Sequence, residues 1–240
     1  MSYDEWSTPA GAAKSVLAHL FTLVLIAGGV MVGALAAVAV LPGWLPALNG
    51  SINALDPKAF WYLSRASGFA AFGLLWLSMV FGLLITNRMA RLWPGGFTAF
   101  DLHQYASLLG LAVTVFHALV LIGDHYINYN LIQLLVPFGS TNYRQFWVGL
   151  GQIGIYGLAV TSLSFYLRRS LGQRGWRIVH GVSYAAFMLA LVHGLVSGTD
   201  SGSLAVIGFY WFTAVTTLAL TLYRSVTSQL ARRSHSATAA

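Results

Sequence analysis

Six stretches of about twenty or more residues carry almost no charge: 16–41, 60–86, 102–122, 146–167, 178–197 and 204–223. About 20 predominantly apolar residues are what a helix needs to cross the hydrocarbon of a bilayer. In lipid only helices and closed barrels satisfy their own backbone hydrogen bonds, and runs of this length point to helices. The sequence therefore predicts an all-α integral membrane six-helix bundle. A composition that is 57% hydrophobic and only 8% charged agrees with that reading.

The few charges then become topological signals. A net charge of +7 would suggest nucleic acid in a water-soluble chain, but here the basic residues sit in short connections, and nucleic-acid binding is excluded. With the amino terminus inside, one side collects Lys14, Arg88, Arg91, Arg168, Arg169, Arg174, Arg177, Arg224, Arg232 and Arg233, which leaves Lys58, Arg65 and Arg144 outside. Cytoplasmic loops are the ones enriched in Lys and Arg, so both termini are expected in the cytoplasm of a bacterial-type plasma membrane. Residues 1–15 read as a polar leader, 16–224 as the six-span domain and 225–240 as a flexible tail. The first apolar run is too long for a cleaved signal peptide and is expected to be retained.

Several features have ordinary explanations. His19 near one end of the first span reads as an interfacial side chain, and Gly29 with Gly33 as a close-packing pair. The connection 123–145 holds a short apolar piece that ends at Pro137, too short to span and suited to the membrane interface. Asp124 and His125 read as a solvated loop before a metal pair. Glycines at 149, 151, 154 and 157 read as helix packing, since no strand precedes them as a dinucleotide fingerprint would require.

Four histidines do not fit so easily. His103 and His117 bracket one span, and His180 and His193 another. An imidazole inside a membrane is costly unless something there engages it. His103 and His117 are fourteen residues apart, which on a helix is about 21 Å along the axis and about 40° in azimuth. Gly110 lies midway between them on nearly the same face, where a flat macrocycle could approach the backbone. His180 and His193 are thirteen apart, about 19.5 Å but about 140° out of phase. A kink, a π-bulge or two macrocycles at different azimuths would reconcile that offset.

The third and fifth spans run in the same direction. His103 and His180 therefore share the cytoplasmic depth, and His117 and His193 the outer one. Two histidines at one depth on facing helices suit a six-coordinate b-type haem, and two depths imply two stacked haems between spans three and five. With no cysteine in the chain, disulfides, cysteine-ligated iron–sulfur clusters and covalent haem attachment are excluded. Arg65 and Arg144 are candidates for the propionates of the outer haem, and the arginines of 168–177 for the inner one. The competing reading is a non-redox membrane protein, either a transporter or a structural subunit of a larger complex. A metal path would be expected to recruit intramembrane Asp or Glu, which the spans almost lack.

The fourteen-spaced pair, the thirteen-spaced pair, TrpArgIleValHis at 176–180 and HisGlyLeuValSerGlyThrAspSer at 193–201 together carry a resemblance. Over residues 61–224 the sequence resembles the ferric reductase-like transmembrane domain, the haem-carrying part of ferric reductases and NADPH oxidases. That domain is also found alone, as the bacterial haem subunit serving periplasmic methionine sulfoxide reductase. The resemblance implies two haem b groups with His103, His117, His180 and His193 as axial ligands, and electron flow from the cytoplasmic haem to the outer one. Oxidases and eukaryotic reductases continue into flavin and nicotinamide domains, whereas this sequence stops after the sixth span. The expectation is a haem-containing oxidoreductase component with a separate donor, a flavoprotein, reduced flavin or quinol. Its external acceptor would be a ferric chelate, oxygen, a quinone or a partner enzyme.

Overall fold

Ser64, Gly68, Ala71, Leu75, Ser78 and Gly82 alternate at intervals of four and three residues, the spacing of a seam along one side of a helix. Apart from Leu75 they are small, and small residues let two helices approach closely. In a computed structural model of the protein this seam belongs to α1 (Ala59–Thr86), which packs along α2 (Gly96–Leu119). Gly110 sits at the middle of that contact, where an added Cβ would lie 3.3 Å from the Cβ of Leu74.

The structure describes residues 59–238 except 93, 125, 126 and 142, without the side chains of 59 and 231–238, together with Leu17, Phe21, Val24, Leu25, Gly28 and Val32, which are helical. The remainder of the predicted first span, with His19, Gly29 and Gly33, lies outside the described residues, as does His125. After α2 come the one-turn α3 (Leu131–Leu135), α4 (Gln145–Ser164), α5 (Arg168–Ser197) and α6 (Leu204–Thr238). Short 3-10 turns at Met89–Arg91 and Val120–Gly123 follow α1 and α2. There is no strand among the described residues.

Five helical segments are long and apolar enough to cross a membrane: Phe60–Thr86, Gly96–Gly123, Gln145–Ser164, Arg168–Ser197 and Leu204–Leu230. They match the second to sixth expected spans. Large apolar side chains such as Phe97, Ile178 and Leu204 point outward and are exposed, an arrangement compatible with a lipid surround.

Two boundaries differ from the sequence expectation. The arginine-rich connection before the fifth span is itself helical, because arginine is a good helix former and charge alone does not end a helix. The break comes instead at Gly172, with φ 68° and ψ 164°, a conformation that glycine adopts without a steric penalty. The last helix runs on to Thr238 through the segment predicted as a flexible tail, which includes the helix formers Gln229, Leu230, Ala231 and Arg232. The apolar piece in the 123–145 connection forms α3, a single turn capped reciprocally by Asn130 and Gln133, with Leu131, Ile132 and Leu135 exposed.

α1 packs on α2 and α4 on α5, and α6 lies chiefly against α1. α2 and α5 hardly touch along their backbones. The core between them is built from Phe72, Leu75, Met79, Leu111, Leu158, Phe187, Leu191 and Tyr210. Phe72 stacks on the fully buried Phe187 with ring centroids 5.6 Å apart. Phe187 is seven residues from His180 and six from His193, so this apolar layer lies between the two histidine depths.

Candidate functional site

The gap between α2 and α5 is bridged by imidazoles. His103 faces His180 with ring centroids 6.0 Å apart, and His117 faces His193 at 6.3 Å, each pair inclined at 74°. These are the pairs that parallel spans and matched depths predict. No break occurs in α5 between His180 and His193, since the only non-helical residue, Gly172, precedes both. The 140° offset is therefore not accommodated by a kink in α5 between the two histidines.

Three of the four rings are oriented by the backbone. His117 Nδ1 lies 2.7 Å from the carbonyl oxygen of Ser64, His103 Nδ1 2.8 Å from that of Ser78, and His193 Nδ1 3.0 Å from that of Trp147. A carbonyl oxygen can only accept, so Nδ1 carries the proton and the lone pair of each neutral imidazole is on Nε2. This is the arrangement usual for a metal-binding histidine, whose second nitrogen donates to a carbonyl. His180 is held differently: Trp176 stacks on it at 5.0 Å and 24°, and the Arg168 guanidinium lies over Trp176 at 5.7 Å.

With metal–nitrogen bonds of about 2 Å and roughly 1.2 Å from each nitrogen to its ring centre, imidazoles on opposite sides of one ion have centroids about 6.4 Å apart. The observed 6.0 and 6.3 Å are close to that value. Among the described residues no three His, Cys, Asp or Glu gather as a bare ion would require. Two facing imidazoles do suffice where a macrocycle supplies the other ligands. The His117–His193 pair opens into a cavity of about 1390 Å³, its open mouth included, lined also by Arg65, Gly68, Tyr129, Gln152 and Asp200. Burial raises the Tyr129 phenol above its ordinary range.

The other predicted site residues fall in different places. Arg65 lines this cavity, but its guanidinium is engaged by Asp200, with Nε 2.8 Å from Oδ2 and Nη2 against Oδ1. The sequence reading missed Asp200, although an acidic residue just after an apolar span was a signal. Arg144 does not line the cavity; it is exposed, donates to the carbonyl of Val196 near the end of α5, and lies over Tyr143. Free carbonyls at a helix end attract such a cation. Gly110 likewise turns to α1 instead of the space between the histidines, because the α1–α2 crossing is at this residue. The arginines of 168–177 are exposed at the start of α5, where Arg168 covers Phe165 and Trp176, and Arg177 bonds the carbonyl of Gln173.

The residues beside the histidines were also missed. Ser64 and Ser78, and Gly68 and Gly82, repeat at fourteen residues, the interval between His103 and His117, and this repeat could have been read. A family described as a domain of unknown function, DUF8596, matches residues 59–200. The chain belongs to this family. No curated protein and no solved structure matches it. The DUF8596 segment runs from the first residue of α1 to Asp200, and so contains all four histidines, Arg65 and its carboxylate partner.

Proposed function

We propose that the chain is a membrane electron carrier of the ferric reductase-like kind, binding two b haems, one by His103 and His180 and one by His117 and His193. The observation that carries this reading is the pair of imidazole separations, 6.0 and 6.3 Å, with Nε2 left free on three of the four rings. When bound, haem supplies a reversible one-electron iron couple whose potential is set by its axial ligands, nearby charges and burial. The histidines orient the group through Nε2. The Phe72/Phe187 layer keeps water from the space between the two depths. Arg65 and Asp200 place a compensated pair of charges beside the outer site.

In this reading the protein has six spans with both termini cytoplasmic. Arg88, Arg91, Arg169, Arg174 and Arg177 are exposed at the end of the bundle that holds His103 and His180. A cationic surface of this kind favours an acidic flavoprotein or a flavin phosphate as donor, with a quinol as the lipid-borne equivalent. Electrons then pass outward to an external acceptor or partner protein. The test is a dithionite-minus-oxidised difference spectrum of the purified protein together with iron analysis. A b-type spectrum with two haems per chain is expected; absence of both b-type absorbance and iron rejects the proposal.

A further inference from the structure

Three histidines meet the same arrangement on the helix beside them: a backbone carbonyl at one position and a glycine four residues on. His117 bonds the carbonyl of Ser64 and lies over Gly68, His103 bonds that of Ser78 over Gly82, and His193 bonds that of Trp147 over Gly151. A Cβ added to these glycines would come within 3.0, 3.2 and 2.7 Å of the respective imidazole. The recurrence has a physical cause. Within a helix the carbonyl of residue i already accepts from the amide of i+4, and its remaining lone pair is reached only from the side. Helical side chains lean toward the amino terminus, so the side chain at i+4 covers the turn that contains that carbonyl. Glycine at i+4 uncovers it and leaves room for a flat ring.

The fourth histidine has no such support. No glycine follows Gly157 on α4, and His180 is stacked on Trp176 of its own helix. We propose that Ser64/Gly68, Ser78/Gly82 and Trp147/Gly151 are cradles of positioning residues that present His117, His103 and His193 through Nε2. The two depths are consequently unlike: the outer pair is cradled on both sides and the inner pair on one. The cradles rest on hydrogen-bond geometry and the space at the glycines, whereas their effect on a bound group rests on the haem reading above.

The test substitutes Gly68→Ala, Gly82→Ala and Gly151→Ala in the full chain, with Gly73→Ala and Gly208→Ala as controls, outside the cavity, where a Cβ meets nothing nearer than 3.9 Å. Low-spin electron paramagnetic resonance and redox titration then report each haem separately. Gly68→Ala and Gly151→Ala should alter or abolish the outer signal alone, and Gly82→Ala the inner one alone. Gly151→Ala, with the closest contact, should have the largest effect. Unchanged signals in all three cradle variants, or equal changes in the controls, would overturn the proposal. Nitrogen-15 spectra of wild-type apoprotein test the cradles without haem and without any variant. The proton is expected on Nδ1 of His103, His117 and His193, with mixed tautomers at His180. Protons on Nε2 of the three would overturn the cradles, while correct tautomers in a protein that binds no haem would reject only the electron-carrier reading.

Discussion

His117 and Arg65 are neighbours on one cavity wall but answer to different physics. In the proposed reading, removing the imidazole in His117→Ala takes one of two axial ligands from the outer haem and leaves the His103–His180 pair intact. Loss of the outer haem with retention of some low-spin signal is the expected outcome, read by optical and paramagnetic spectra. Arg65 acts through charge, and its ion pair with Asp200 means that Arg65→Ala both removes a cation and uncovers a carboxylate. A reduced haem is one unit more negative than the oxidised form, so the outer midpoint potential should fall in Arg65→Ala and rise in Asp200→Asn. Shifts on the order of 60 mV are expected, a tenfold change for a one-electron couple. Shifts of the same sign in both variants would remove the pair from any electrostatic role at the outer haem.

α1 and α2 form the element on which both depths depend. Positions 68 and 117, 75 and 110, and 82 and 103 lie beside one another, so antiparallel helices with a fourteen-residue period on each repeat one contact at two depths. Gly110 is its midpoint. Gly110→Leu forces a branched side chain against Leu74, and overpacking of this kind costs about 1–3 kcal/mol. Because it separates the two helices at their centre, the variant should weaken both haem signals together and lower the melting temperature, in contrast to the one-sided cradle variants. Gly172 matters in another way. Its positive φ is strained for any other residue, and Gly172→Ala should cost about 1 kcal/mol in thermal stability, with the histidine spectra unchanged because the break precedes both histidines.

The bundle as a whole is polarised. Exposed arginines crowd the end near His103 and His180, and the cavity with Arg65 and Asp200 opens at the other. Since the chain has no cysteine, single cysteines can report orientation without background. A cysteine at Gln173 should react with an impermeant thiol reagent only in inside-out vesicles, and one at Gly202 only in right-side-out vesicles. The reverse pattern would invert the proposed direction of electron flow. If the arginine end receives the donor, NADH or NADPH alone should leave the haems oxidised in a flavin-free preparation, while a cytoplasmic flavoprotein, reduced flavin or quinol should reduce them. Protein-mediated rates should fall at high salt and in Arg169→Gln/Arg174→Gln, because screening or removing surface charge slows steered encounter.

The spans and the four histidines were legible in order along the chain, because helix length and depth depend on one segment at a time. Apolar runs located the five described membrane-length helices, and a rise of 1.5 Å per residue placed His103 level with His180 and His117 level with His193. Whether a side chain turns toward a neighbour depends on the azimuths of two helices at once, and only the packed structure settles that. Gly110 was expected between the histidines and faces Leu74 instead; Arg144 was a candidate for the propionates and bonds a carbonyl near the end of α5. Arg65 found its partner at Asp200, 135 residues away, and three of the four imidazoles found theirs in carbonyls four residues before a glycine. Backbone groups are the same at every position in a sequence, so which carbonyl is open to a histidine is decided by the surface around it once the helices have met.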